Sequence, residues 1–274
     1  MQFNIEYSYK SLNEKIEKLT SKQEEIHCES VSKALEKVKL EVNKWMKIDD
    51  TIVVFSDLKN STGISFDKQD RTMTKLLEYL NNPFIEIHND FGAEFVEIKG
   101  DGGIAIYSKE NAIKALLASI SIRTYYERHI AKKVFDTYGV YFEVTTGIAK
   151  GNLKLKNIGQ RGLNFPVWAG KPINLAALIS KELKKKKPPT NHIGITADLY
   201  KEIEDKDLEQ YIYISCGCPD GKDKHDLWTV ETIPNNGGKK YYYMNNSWCK
   251  FHGYLNYILK IFALNVYINT HLQI

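Results

Sequence analysis

The sequence FSDLKNST at residues 55–62 and the sequence EIKGDGG at residues 97–103 together decide the expected fold. Each stretch places an aspartate directly after a β-like apolar run, at the point where a strand gives way to a loop. The Gly-Asp-Gly triplet of the second stretch predicts a hairpin, because Asp-Gly accepts the positive φ angles of a tight turn. Asp57 and Asp101, brought together on neighbouring strands, are therefore candidates to hold a pair of divalent ions.

The apolar pattern around these two stretches predicts strands and helices in a definite order. Spacing of three and four residues favours helices, and short apolar runs favour strands. We expect a kink near Asn81, because Pro83 removes a helical hydrogen bond. The order is that of a ferredoxin-like βαββαβ domain of the α+β class, with an antiparallel sheet and helices on one face. Its elements cover residues 52–56, 68–91, 93–98, 103–107, 111–130 and 141–149, and a helix over 171–183 and a strand over 192–196 follow.

Two segments flank this central domain. Residues 12–48 carry apolar side chains at helical spacing, so we expect an N-terminal helical segment over residues 1–48. The domain itself then covers residues 49–205, and residues 206–274 form a C-terminal extension. We expect one of the two flanking segments to regulate the domain. The 43% apolar content of the 274 residues is sufficient to fill a globular core.

The composition favours a soluble protein over a nucleic-acid-binding or membrane protein. The net charge of +4 is weak and its lysines are spread along the chain. We expect the one dense run, Lys184–Lys187, to be a solvated loop. Residues 1–30 contain no apolar secretory segment, and the interrupted apolar stretch Tyr254–Tyr267 falls short of the ~20 residues of a membrane span. With only four cysteines as well, we expect a cytoplasmic protein without a disulfide framework.

Four stretches of the chain resemble the class III nucleotidyl cyclases, which include the adenylyl and guanylyl cyclases. They are FSDLKNST, the KGDG of the second stretch, VTTGIAKG at residues 144–151 and GKPINLAA at residues 170–177. They occur in the family's order and at its spacing, over about residues 50–200. The resemblance implies an enzyme that converts a nucleoside triphosphate to a 3′,5′-cyclic nucleotide and pyrophosphate. It also implies a head-to-tail homodimer with active sites at the interface.

The same resemblance implies which residues form the active site. Asp57 and Asp101 of one protomer bind two Mg²⁺ or Mn²⁺ ions, helped by the carbonyl group of Leu58. Asn174 of the other protomer orients the ribose. Taken alone, each aspartate is equally typical of a turn or a helix cap. Metal binding is favoured only because all four stretches occur together at the family's spacing. Backbone N–H groups bind the triphosphate in the manner of an anion nest, from Lys59, Asn60, Ser61 and Thr62.

One position departs from the family's pattern. Most members carry an arginine four residues after the asparagine, where it stabilises charge in the transition state, but this chain has Leu178. An isobutyl group cannot stabilise a developing negative charge. Our hypothesis is that a nearby cation substitutes, and the candidates are Lys181 and Arg161. The alternative is a slow enzyme, or a degenerate cyclase-fold module that binds nucleotide without turnover.

Two positions that read the base in the family also differ. Glu97 stands where adenylyl cyclases have lysine and guanylyl cyclases have glutamate, and Val167 stands where adenylyl cyclases have aspartate. ATP is therefore disfavoured, whereas Glu97 suits guanine or the imide N–H of uracil. The segment GLNFPVWAG at residues 162–170 and the C-terminal region resemble the bacterial pyrimidine cyclases of antiphage signalling. We therefore expect UTP as substrate, ahead of CTP, with guanylate cyclase activity as the alternative.

The C-terminal extension contains a candidate structural zinc site. Three thiols and one imidazole suit a tetrahedral zinc ion, although the Cys-x-Cys spacing is tighter than usual. The alternative is ordinary small buried cysteines beside a loop histidine. We expect Cys28, in the N-terminal segment, to be structural. The candidate zinc ligands are Cys216, Cys218, Cys249 and His252.

Overall fold

The protein is described by a computed structural model over most of its central part. The described residues are 9–10, 13–14, 16, 24–41, 44–61, 63–64, 69–160, 163–187, 192–204, 228–233, 238–245 and 247. They divide into two compact units, the larger formed by residues 50–152 and 170–274 and the smaller by residues 1–49 and 153–169. Two long strands contribute residues to both units. No helix in the described ranges is long and apolar enough to cross a membrane.

A mixed sheet forms the framework of the larger unit. Its strands are β2 (Trp45–Leu58), β3 (Phe95–Lys99), β4 (Gly102–Tyr107), β5 (Val144–Gln160), β7 (Ile193–Thr196), β8 (Thr229–Thr232) and β9 (Lys240–Met244). They are hydrogen-bonded in the order β3-β4-β2-β5-β7-β9-β8. The neighbouring pairs β2–β4, β3–β4, β7–β9 and β8–β9 are antiparallel, whereas β5 and β7 are parallel.

Helices cover the sheet of the larger unit and build its core. The apolar face of the second helix buries Leu76, Leu80 and Phe84 in one cluster with Ile52 and Val54 of β2. Burial of such side chains is worth about 1.5–3 kcal/mol each and is the main force that holds helix and sheet together. The helices of this unit are α2 (Asp70–Asp90), α3 (Ala112–Tyr125), α4 (Ala131–Tyr138), α5 (Lys171–Leu183) and α6 (Ala197–Glu204).

The described residues of the smaller unit include one short helix and four strand segments. β1 (Glu25–Cys28) runs parallel to the first residues of β2, and β6 (Leu163–Ala169) runs antiparallel to the second half of β5. Helix α1 (Val31–Lys37) begins where the Ser30 hydroxyl accepts the backbone N–H of Lys33 at 3.1 Å, which is a standard N-cap. The expected helix over residues 12–48 is therefore wrong for β1 and for the start of β2. Pairing with a distant strand decides these residues, and helical spacing alone does not reveal it.

The predicted α+β fold is confirmed, and three of its details differ from expectation. Helix α2 continues through Pro83 without a break, because Leu80 and Phe84 on either side are buried in the core. The expected helix over residues 111–130 is α3 followed by a π-helical turn over Tyr126–Ile130, and α4 continues the chain beyond it. The β3–β4 hairpin turns at Gly100 and Asp101, and only Gly100, with φ +64°, takes a left-handed conformation. A glycine at the first central position is typical of a type II′ turn.

Candidate active site

Strand pairing brings the two aspartates together at one end of the sheet. Asp57 lies opposite Gly102 in the antiparallel ladder between β2 and β4. One residue further on, the backbone N–H of Leu58 donates to the carbonyl oxygen of Asp101 at 3.1 Å. The end of β2 and the β3–β4 hairpin therefore present two carboxylates side by side, as the sequence predicted.

The charges around Asp57, including that of Asp101, affect the pKa of its carboxyl group. Partial burial raises the pKa of the Asp57 carboxyl, and the neighbouring Asp101 raises it further, while Lys184 lowers it. Like charges at short range oppose ionisation, and a cation between them relieves this. The site thus favours positive charge at the place where the two carboxylates meet.

Lys184 supplies a cation at this place. Its Nζ donates to the Asp57 carboxylate at 2.5 Å and to the Leu58 carbonyl oxygen at 2.9 Å. Carboxylate and carbonyl oxygens are the ligands that hard divalent ions such as Mg²⁺ prefer. The ammonium group acts here as a stand-in ion, and its contacts show that the oxygens of Asp57 and Leu58 fit a cation.

The expectation that the lysine run is a solvated loop is wrong for two of its members. Lys184 is bound to the site, and Lys186 forms an ion pair with Glu231 and lies 4.9 Å from the centre of the Tyr243 ring. The sequence offered no signal that separates these lysines from their neighbours, since the partner of Lys184 lies 127 residues away in the chain.

Helix α5 is held tightly against β5, and this positions both of its ends. A Cβ atom at Gly147 would lie 2.8 Å from the carbonyl carbon of Ala176, so only glycine permits this approach of helix and strand. Buried hydroxyl groups pair across the same contact, with the Ser180 hydroxyl 2.9 Å from that of Thr145. The C-terminal end of α5, which carries Lys184, is therefore fixed beside the aspartates.

The loop after β2 contains one residue in a left-handed conformation. Asn60 has φ +58°, a left-handed conformation that asparagine tolerates better than most residues. Such a residue turns successive N–H groups toward one side, as in an anion nest. The N–H of Lys59 donates to the Glu143 carbonyl at 2.8 Å and its side chain pairs with the Glu143 carboxylate at 3.0 Å. Lys59 is thus engaged within the fold, and phosphate binding by the loop, including Ser61, stays a prediction.

Asn174, which the resemblance predicts to orient the ribose, lies near the N-terminal end of α5. Asn174 is in the first turn of the helix and is exposed, and Lys181, seven residues on, is exposed as well. Residues seven apart share one face of a helix. Leu178 between them packs against a small apolar cluster that includes Ile179 and Tyr241. The position where most family members carry an arginine is therefore filled here by a partly buried leucine that packs against this cluster.

The two base-reading candidates lie in different units. Glu97 belongs to β3 in the larger unit, and its carboxylate lies 3.3 Å from Nζ of Lys99 on the same strand. Val167 belongs to β6 in the smaller unit, paired with Lys156 of β5, and is 37% exposed. The base specificity of both positions stays a prediction.

Several predicted residues lie outside the described part of the chain. These include Arg161, the C-terminal apolar stretch and the candidate zinc ligands, so their roles also stay predictions, as does that of Thr62. Where the structure does describe the chain, no group of three or more His, Cys, Asp or Glu side chains could hold a metal ion. Cys28, expected to be structural, is buried at the end of β1, where burial raises the pKa of its thiol.

Comparison with known proteins agrees with this geometry. Residues 44–209 match the family described as the adenylate and guanylate cyclase catalytic domain. The chain is 26% identical to a uridylate cyclase of Micromonospora echinofusca over 78% of its length and 70% of the relative's, and 28% identical to a uridylate cyclase of Propioniciclava tarda over 75% and 67%. The crystal structure of the adenylyl cyclase CyaB from P. aeruginosa shares its fold, with a TM-score of 0.57 at 16% identity, covering 77% of this chain and all of that one.

The match with the family covers more than half of the chain. The protein therefore belongs to the class III nucleotidyl cyclases. Within that class, its curated relatives are named uridylate cyclases.

Proposed function

We propose that the protein is a metal-dependent uridylate cyclase that converts UTP to 3′,5′-cyclic UMP and pyrophosphate. The 3′-hydroxyl group loses its proton to solvent, and its oxygen forms a bond to the α-phosphorus. The bond from that phosphorus to the oxygen that bridges the α- and β-phosphates breaks, and pyrophosphate leaves with the electron pair. The observation that carries this proposal is the pair formed by Asp57 and Asp101, with a cation bound to the oxygens beside them.

The residues present fit a pair of divalent ions. Asp57, Asp101 and the Leu58 carbonyl would hold two Mg²⁺ or Mn²⁺ ions through oxygen atoms. Such ions, when bound, lower the pKa of the attacking hydroxyl and neutralise charge on the phosphates. The left-handed turn at Asn60 follows directly after Leu58, and the triphosphate would lie against this loop.

The choice of uracil rests on the relatives and on Glu97. Both relatives are named uridylate cyclases. A carboxylate at the base position accepts a hydrogen bond from the imide N–H of uracil, and Lys99 on the same strand forms an ion pair with that carboxylate. Cytosine is the second pyrimidine, and guanine offers similar donors.

The active site needs a second copy of the chain. Asn174 precedes Lys184 by ten residues of helix, which separates them by about 15 Å along the axis. Because Lys184 contacts Asp57, the asparagine of the same chain lies well away from its own aspartates. We infer a homodimer in which each site combines the aspartates of one protomer with Asn174 and Lys181 of its partner.

The activity is tested by incubating the purified protein with UTP, CTP, GTP and ATP separately, with Mn²⁺, and identifying products by mass. We expect cyclic UMP as the main product, and a decrease of about a hundredfold or more in Asp57→Asn and in Asp101→Asn. Lys185→Met, which changes an exposed ion pair outside the site, is the matched control and should stay active. Cyclic GMP as the main product would overturn the choice of base, and no product from any nucleotide would overturn the proposed reaction.

The dimer is tested by mixing two inactive variants. Asp57→Asn removes the metal half of each site, and Asn174→Ala removes the ribose half. In a mixed dimer one of the two sites is intact, so the mixture should recover up to about a quarter of wild-type activity if subunits exchange freely, since half of the dimers are mixed and each has one good site. Recovery near zero, with mixed dimers demonstrated by mass, would contradict the shared site.

We further propose that the cyclic nucleotide is a second messenger of bacterial antiphage defence, made in the cytoplasm. This rests on the uridylate cyclase relatives and on the resemblance of residues 162–170 to that branch. Phage should form fewer plaques on bacteria that carry the wild-type gene with its neighbouring genes than on bacteria that carry the Asp57→Asn variant at an equal protein level. Equal plaque numbers would count against the role in defence without touching the chemistry.

A further inference from the structure

One lysine at the end of helix α5 shares its partners with the proposed metal site. The ammonium of Lys184 contacts Asp57 and Leu58 through the same two oxygens that would bind a divalent ion. Its neighbours in the lysine run have other partners, since Lys185 pairs with Glu182 and Lys186 with Glu231. The contact is therefore specific to Lys184 and does not reflect a general attraction between the lysine run and the acidic end of the sheet.

A lysine and a divalent ion cannot use these oxygens at the same time. The ammonium nitrogen lies 2.5 Å from the carboxylate oxygen and 2.9 Å from the carbonyl oxygen. A Mg²⁺ ion bound to the same two oxygens at the typical ~2.1 Å would lie very close to this nitrogen. Two positive charges at that separation repel strongly. Binding of the ion thus requires the ammonium to leave.

The structure allows the side chain to leave while the backbone stays. The N–H of Lys184 donates to the Ser180 carbonyl at 3.2 Å, and the next two residues continue this hydrogen bonding to the end of α5. The side chains of Lys184 and Asp57 are 24% and 26% exposed, so the stem can rotate toward solvent. The exchange therefore needs a change of rotamer and no rearrangement of the helix.

We propose that Lys184 is a positioning residue of the metal site, whose ammonium holds the Asp57 carboxylate and the Leu58 carbonyl in place and is exchanged for a divalent ion. This inference rests on the proposed metal-dependent reaction and extends it to a residue outside the four family stretches. The lysine keeps the two oxygens converged, at the cost of weaker binding of the ion.

The test measures metal binding directly, with no turnover. Mn²⁺ affinity is determined on the full-length protein by electron paramagnetic resonance of free Mn²⁺, without nucleotide. Lys184→Met keeps the length of the stem and removes the charge, and it should bind Mn²⁺ about threefold to fivefold more tightly, the upper part of the range for loss of a partly exposed ion pair. Lys184→Gln serves as a second variant if the first does not fold, and Lys184→Arg, which retains the charge, should bind as the wild type does.

Two controls separate this inference from the proposed function. Lys185→Met removes an equal charge one residue away and should leave Mn²⁺ affinity within about twofold. Asp57→Asn should abolish binding, which would place the ion at the proposed site. Equal Mn²⁺ affinity of the wild type and the uncharged Lys184 variants, or tightening by the arginine variant as well, would overturn the exchange alone. No Mn²⁺ binding by the wild type or by any uncharged variant would overturn both the exchange and the metal site.

Discussion

His88 should make the stability of the protein depend on pH. Its ring is fully buried in helix α2, where Nδ1 lies 2.6 Å from the Tyr107 hydroxyl and the ring packs against the edge of Phe84. In the described part of the chain, Nε2 has no hydrogen-bond partner. Burial lowers the pKa of His88 from 6.5 to about 3, because the charged ring would lie in an apolar core.

The sign and size of the effect follow from this shift. Below pH 6.5 the unfolded chain takes up a proton at His88, while the folded protein does not until pH approaches 3. The stabilising contribution is therefore fully present above pH 6.5 and is lost as pH falls. Between pH 7 and pH 5 the loss is about 2 kcal/mol. For a protein of this size it corresponds to a decrease in melting temperature of roughly 4–8 °C.

The assay compares urea unfolding of the wild type and His88→Asn at pH 7 and pH 5. Asparagine keeps a polar group near the position of Nδ1, but it does not titrate. The variant is less stable than the wild type at pH 7, because the smaller side chain leaves a cavity. Its decrease in the free energy of unfolding between the two pH values should be smaller than that of the wild type by about 2 kcal/mol. Other titrating groups contribute equally to both proteins and cancel in the difference. An equal decrease in both proteins would refute the reasoning.

Two further predictions concern helix α5. Gly147→Ala should lower the free energy of unfolding by about 3 kcal/mol, because its Cβ overlaps the backbone of Ala176 and the helix must move; a melting temperature within 2 °C of the wild type would contradict this. If Lys181 replaces the family's arginine, Lys181→Met should lower kcat by about a hundredfold with little change in stability. Lys185→Met is its control, and equal kcat values for the two variants would assign the role to another cation.

The sequence alone predicted the features of the site that depend on local order. The aspartates follow apolar runs, and the alternation of residues along β2 and β4 limits where such carboxylates can point. The helix over residues 171–183 was predicted with its observed bounds, because its apolar spacing is regular and Pro172 stands near its start. These are short-range patterns, which a linear sequence displays directly.

The tertiary structure decided the features that depend on distant partners. Residues 25–28 and 45–48 are strands because they pair with each other, although their spacing suits a helix. Leu178 packs against the small apolar cluster that contains Tyr241, and only the folded structure shows this contact. In each case a contact between distant parts of the chain outweighs the local preference of the sequence.

Lys184 shows this limit most clearly. In sequence it is one of four consecutive lysines, and nothing distinguishes it from the other three. In the folded chain, Lys184 is the one of these four lysines that contacts Asp57. The close approach of α5 to β5 at Gly147 brings the end of the helix to the end of β2. The sequence determined which residues could carry the chemistry, whereas folding determined which of them meet. Electrostatic and hydrogen-bond contacts depend on distances in space, and spacing along the chain does not reveal those distances.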